Sequence, residues 1–371
     1  MRLDSLSLPG TTPGLSITLS FLRFGTPGAG PKVYIQAGLH ADETPGPLTA
    51  HHLRQRLSSL EEAGRIKGEI VLVPVANPIG LAQRLNNVFH GRFDFSDGGN
   101  FNRYFPDMTD EVAEEVGPQL GPDPQANMVL IRQSLKKALA SRTPVSPTEH
   151  LKQILLSEAI DADIVLDIHC DSDAVVHLYT LTPQAEEFAP LGAYLGAKAV
   201  LLATESGDNP FDEAVSRPWL LLQERFPDAA IPMTGFATTL ELRGQADVSD
   251  ELAAADAEAI LNYLTLRGVI SGTAPELPSL PVEPTPLAGT EAVTAPCAGI
   301  ILFKKVAGDH VAAGDVVAHL LDPSSGHETI VRASTDGILF ARCATRFAHA
   351  GKRLGKIAGS KVIRTGKLLS P

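Results

Sequence analysis

Two chemically capable side chains, His40 and Glu43 in "GLHADE", stand three residues apart directly after the apolar run "KVYIQA". An ordinary turn there asks for glycine or asparagine, not for an imidazole and two carboxylates, Asp42 being the second. Imidazole nitrogen and carboxylate oxygen are zinc ligands, and a catalytic zinc takes three of them and keeps a further position open. A second histidine, His169, ends another apolar run in "IVLDIHCD". Asp167 lies two residues earlier, so in a strand its side chain shares a face with His169. A carboxylate in that place accepts the second N–H of a ligand imidazole, with His40 and His169 both open as its partner. Cys170 points to the opposite face and reads as packing.

A hydrolytic metal site also needs a group that takes a proton from water. Glu241 in "FATTLELRG", a carboxylate emerging from a β-branched strand, is the candidate. Residues 77–106, "NPIGLAQRLNNVFHGRFDFSDGGNFNRYFP", carry Arg84, Arg92 and Arg103 together with Asn102. Arginine binds a carboxylate through paired hydrogen bonds or steadies a developing oxyanion. Aromatics and glycines between these arginines point to a folded pocket loop.

The elements that must position these groups follow from hydrophobic periodicity. "KVYIQA", "EIVLVPVANP", "ADIVLDIHCD", "VVHLYT", "AVLLA" and "FATTLEL" read as strands. "PLTAHHLRQRLSSL", "MVLIRQSLKKALA", "EHLKQILLSEAI" and "DELAAADAEAILNYLTLRG" read as helices. Residues 80–127 are polar and rich in turn formers, a length of loop that usually carries function. Strands alternating with helices imply an α/β sheet covered by helices. Sites in such sheets gather at the carboxyl ends of strands, where both His40 and His169 fall.

The 371 residues suggest two domains. We expect a hydrolase domain over 1–270, a proline-rich linker over 271–284 and a small β-rich domain over 285–371. Within the last, "AGIILFKKVAGDHVAAGDVVAHL" is approximately repeated by "DGILFARCATRFAHAGKRLGKIA", which resembles the barrel-sandwich hybrid of biotinyl and lipoyl carriers. The hairpin between the repeats, "LLDPSSGHETIV", holds no lysine, so a carrier role is rejected and no covalent cofactor is expected. A net charge of −12 argues against nucleic acid as the main partner. Three scattered cysteines make neither a disulfide framework nor a zinc knuckle. With no signal-peptide pattern and no apolar window of membrane length, we expect a cytoplasmic protein without a membrane partner.

The ordered set "GLHADE", "NP…GRFD…NFNRYFP", "DIHCD" and "TLELRG" resembles the succinylglutamate desuccinylase/aspartoacylase family, a branch of the zinc carboxypeptidase superfamily. The forms "NFNR" and "LELRG" are closer to the subgroup that includes N-acetyl-diaminobutyrate deacetylase, and Asn100-Phe101 stands where aspartoacylases have Asp-Leu. The resemblance covers roughly residues 30–270. It implies a mixed sheet flanked by helices, with Zn2+ held by His40, Glu43 and His169. It also implies Glu241 as general base, Arg92 polarising the scissile carbonyl, and Asn102 with Arg103 on a substrate carboxylate, Arg84 being the alternative arginine. The activity it implies is hydrolysis of the amide of a small N-acylated amino acid. Removal of residues from short peptides is the alternative, and a metal-binding scaffold without turnover is the reading from another class. Self-association into a homo-oligomer stays open.

Overall fold

The computed structural model describes residues 1–9 and 12–369. Nine strands build one large sheet: β1 (Arg2–Pro9), β2 (Ser16–Gly25), β3 (Lys32–Ala37), β4 (Glu69–Val73), β5 (Ile164–Asp171), β6 (His177–Leu181), β7 (Ala199–Ala203), β8 (Phe236–Gly244) and β9 (Thr285–Pro286). Their spatial order is β1-β2-β4-β3-β5-β8-β6-β7-β9. The centre is parallel, because β3, β4, β5 and β8 are joined through helical crossovers. By contrast β6 runs antiparallel to β8, which makes the sheet mixed.

Burial explains the composition of the central strands. β3 and β5 are covered on both faces, so their sequences are nearly continuous apolar runs. One face packs on the helices Pro45–Glu62 and Asp250–Leu266 through Leu53, Leu57, Ile260 and Leu264. The other meets Pro124–Ala140, Pro147–Ala159 and Phe211–Arg225 through Ile131, Leu155, Val215 and Trp219. The helix starts are specified locally. Ser146 and Glu149 form a reciprocal capping box on Pro147–Ala159, and Ser249 caps Asp250–Leu266.

Three features go beyond what periodicity indicates. The opening residues form the β1–β2 hairpin that widens the sheet at one edge. The long polar stretch contains the helix Thr109–Val116, and Phe211–Arg225 is a further helix against the sheet. Thr285–Pro286, expected at the start of the β-rich part, instead pairs in parallel with β7 as the last strand of the large sheet.

From Thr290 onward the chain forms two antiparallel layers around Val293, Ile301, Val317, Leu320, Leu339, Leu354 and Ile357. This unit is joined to the large one by pairing as well as by packing. Asp173–Ala174 adds to the edge of Gly337–Arg342, and Arg342 donates to Asp173 at 2.7 Å. Phe340, Leu287 and Leu368 share an apolar cluster with Tyr179 and Leu201 of the large sheet. Among the described residues no helix is long and apolar enough to cross a membrane.

Candidate metal centre

The end of β3 and the end of β5 lie side by side, since Ala37 is the register partner of Ile168. This pairing carries His40, just past β3, to His169 within β5, with ring centroids 4.8 Å apart. Glu43 reaches between them. Its Oε1 lies 3.0 Å from His40 Nδ1, and its Oε2 accepts from His169 Nδ1 at 2.8 Å and from the Cys170 backbone N–H at 3.1 Å. Ligand atoms of His40, Glu43 and His169 all lie within 4.8 Å of one another, and the three residues are buried.

The outward ring nitrogens are held in turn. His169 Nε2 donates to Asp167 Oδ2 at 3.0 Å, so Asp167 serves His169 and not His40. Asp167 Oδ1 accepts from Gln36 Nε2 at 2.9 Å, and Gln36 Oε1 accepts from the Tyr34 hydroxyl at 2.8 Å. His40 Nε2 donates to Asn100 Oδ1 at 2.8 Å. Each imidazole therefore presents Nδ1 to the shared carboxylate while an oxygen fixes its other nitrogen, the arrangement that orients metal-bound histidines.

Arg92 arrives by a close backbone contact. The Ala41 N–H donates to the Gly91 carbonyl at 2.9 Å, and a Cβ at Gly91 would stand 2.1 Å from the Asp42 nitrogen, so only glycine fits. Arg92 Nη1 then donates to Glu43 Oε1 at 2.9 Å and to His40 Nδ1 at 3.0 Å. This cationic nitrogen meets two of the atoms that would face a metal, which tests the donor set directly: it attracts a cation. The residues fit a zinc ion with an open position.

Protonation follows the surroundings. Burial, reinforced by the Arg92 charge, pushes His40 down to about 4, leaving a neutral ring whose Nδ1 accepts from Arg92. Burial opposes a charge on His169 too, but the carboxylates of Asp167 and Glu43 on either side raise it well above the ordinary value. Burial likewise opposes ionisation of Glu43, yet the two imidazoles hold its carboxyl well below the usual range.

Glu241 is the register partner of His169 on the adjacent parallel strand, which brings both to one face. It is half-buried among acidic neighbours, and desolvation first, then Glu43, raise its carboxyl to about 8. Its Oε2 is buried without a hydrogen-bond partner. Glu241, His40, His169, Arg92, Asn102 and Arg103 line one cavity. Asn102 Oδ1 accepts from the Phe211 N–H at 2.9 Å, and Arg103 Nη1 donates to the Asn102 carbonyl at 2.6 Å.

Arg84 is not brought there. It lies exposed in the two-stranded hairpin of Arg84–Leu85 and Val88–Phe89, whose turn projects the side chain away from the strand ends. Other residues reach the cavity without a sequence signal of their own. Lys356 and Arg353, from the strand Arg353–Ala358, form part of its wall, and Lys356 donates to Asp171 Oδ2 at 2.5 Å. Gln36 had one usable cue, an amide inside an otherwise apolar strand.

The family model for the succinylglutamate desuccinylase/aspartoacylase catalytic domain matches residues 29–121. A solved structure of a protein of that family from Shewanella amazonensis is 30% identical, with 96% of this chain and 98% of that chain covered and a TM-score of 0.85. A second, from Shewanella frigidimarina, is 25% identical over 96% and 97% of the two chains, with a TM-score of 0.83. The product-bound ectoine utilization protein EutE (DoeB) of Ruegeria pomeroyi shares the fold at 20% identity, with 96% and 95% covered and a TM-score of 0.65. No curated protein matches the chain.

Proposed function

The chain belongs to the succinylglutamate desuccinylase/aspartoacylase family, and from that premise we propose that it is a zinc-dependent hydrolase cleaving the amide of a small N-acylated amino acid. The observation that carries the reading is the shared cavity. Glu241, whose Oε2 is buried without a partner, lines the same cavity as His40, His169, Arg92, Asn102 and Arg103, and Glu43 completes the metal set with the two histidines. Zinc held by His40, Glu43 and His169 supplies Lewis-acid polarisation of a carbonyl and acidification of water.

The protein groups do the rest. Arg103, with Asn102 beside it, holds the carboxylate of the amino-acid part and so sets the amide in place. Glu241 takes a proton from the attacking water and delivers it to the leaving nitrogen. Arg92 donates to the carbonyl oxygen as negative charge gathers there. Tyr34, Gln36 and Asp167 keep the His169 ring in its orientation throughout.

A hydrolysis screen of the zinc-reconstituted protein on N-acetyl and N-succinyl amino acids and on dipeptides tests this. Release of free amine from an acyl-amino acid supports the deacylase. Faster cleavage of dipeptides would reassign it as a carboxypeptidase, and bound zinc with no turnover on either set would leave a scaffold.

A further inference from the structure

The segment Gly366–Leu369 lies far along the chain from the metal set and from Glu241, Asn102 and Arg103, yet Leu369 forms part of the cavity wall. It is clamped there. The N–H groups of Leu368 and Leu369 both donate to the Ser206 carbonyl, at 2.8 and 3.2 Å, and Lys367 Nζ donates to Asp208 Oδ1 at 2.5 Å. Leu368 is buried in the cluster that includes Phe340 and Leu201. Gly207 lies under the segment with φ at +106°, and a Cβ there would meet Lys367 Cγ at 3.1 Å and its Cα at 3.3 Å. Two reasons therefore demand glycine at this point, the left-handed backbone and the close approach.

The clamped turn is in contact with the substrate loop. Tyr104 N–H donates to the Asp208 carbonyl at 2.6 Å and Phe105 N–H to the Asn209 carbonyl at 3.1 Å, while Asn209 Nδ2 returns a bond to the Phe105 carbonyl at 2.8 Å. Tyr104, Asp208 and Asn209 all hold left-handed backbone, at φ of 58°, 58° and 42°. Such residues persist only where surrounding contacts over-determine them. Phe211, four residues past Gly207, donates its N–H to the Asn102 side chain. Hydrogen bonds thus run from Lys367 through the 206–209 turn to Tyr104 and Phe105, next to Arg103, and from Phe211 to Asn102.

We propose that Gly366–Leu369 is a specificity wall: it positions the Asn102–Arg103 loop through the 206–209 turn, and the Leu369 side chain bounds the room for the substrate's amino-acid part. The proposal rests on the reading of the site as an acyl-amino acid hydrolase. A positioning contact of this kind acts equally on bound substrate and transition state, so its loss raises KM and spares kcat. Gly366–Leu369 makes no hydrogen bond to the metal set; the route to it passes through Asn102, whose Nδ2 lies 3.2 Å from His169 Nε2.

The test compares wild type, Gly207→Ala, Lys367→Met, Lys367→Arg, Leu369→Ala and Leu369→Met as full-length zinc-loaded protein. The substrates are N-acetyl amino acids of increasing side-chain size, and zinc content is read in parallel. Gly207→Ala and Lys367→Met are expected to raise KM by about tenfold with kcat within about twofold and zinc unchanged, with Lys367→Arg restoring KM. Leu369→Ala is expected to shift the ranking of kcat/KM toward bulkier substrates by about tenfold, the scale of a few methylenes in a pocket, and Leu369→Met to keep the wild-type ranking. An unchanged KM in Lys367→Met, which removes one surface contact and does not strain the backbone, overturns the positioning claim. An unchanged ranking in Leu369→Ala overturns the wall. If wild type turns over nothing in the series, the proposed function falls instead. Calorimetric binding of the same acyl-amino acids to the same variants then decides the wall by Kd.

Discussion

Glu43 joins two imidazoles through its two oxygens: His169 Nδ1 donates to one at 2.8 Å, and His40 Nδ1 stands 3.0 Å from the other. One carboxylate thereby fixes the spacing of the ring nitrogens that lie at the ends of two neighbouring strands. The three residues act as one unit, so removing any member disturbs the other two.

Changing His169 to Ala should abolish most zinc binding, and Asp167→Asn, which keeps the ring but weakens its support, should cost about 10–100-fold in affinity. Metal analysis after dialysis against buffered zinc measures both. Circular dichroism should show the fold retained in each. Full zinc occupancy in His169→Ala would remove His169 from the ligand set.

Glu241→Gln should keep zinc and substrate binding while lowering kcat by at least about a hundredfold, since the amide is nearly isosteric and accepts no proton from water. Steady-state kinetics with zinc content checked in the same sample reads this. Wild-type turnover would transfer the base role to another group, Asp42 being the next candidate.

The same residue should leave a mark on stability. Burial raises the Glu241 carboxyl from its ordinary 4.5 to about 8 in the fold. A raised carboxyl makes a stability contribution that is fully present below pH 4.5 and lost as pH rises through about 8, because the unfolded chain releases that proton first. In chelator-treated protein, wild type should therefore lose stability relative to Glu241→Gln between pH 5 and pH 8.5, by roughly 2–4 kcal/mol. Urea unfolding of both proteins at the two pH values gives the difference, and parallel curves would show that the buried carboxyl titrates normally.

Arg103→Ala should mainly raise KM, and amidating the substrate carboxylate should produce the same loss in wild type. Arg92→Ala should instead lower kcat at saturating substrate by about 10²–10³, the cost of one oxyanion donor. If carboxamide substrates are cleaved as well as the acids, Arg103 is no carboxylate clamp.

Much of the site is legible because its chemistry interrupts a strong pattern. An apolar strand has no packing reason to end in His-x-x-Glu or Asp-x-His, so His40, Glu43, Asp167 and His169 stand out, and period-two alternation already places Asp167 beside His169. The arginines were harder to rank, since loop direction is decided by non-local contact. Arg92 is aimed by the press of Gly91 on Ala41 and Asp42, whereas Arg84 is turned outward by its hairpin. Lys356 and Arg353 carry no local signal at all, and the motif around Asn100 does not show that it bonds His40. Their places follow from a loop crossing over His40 and from the docking of a unit far along the chain.

That docking has a consequence for how the protein comes into being. The cavity is walled by residues from His40 to Leu369, and the nearby half-buried Asp171 meets its cationic partner only when Lys356 arrives. During synthesis the metal ligands emerge long before the strand that completes their surroundings. Until Arg353, Lys356 and Leu369 dock, the cavity lacks the part of its wall that they form.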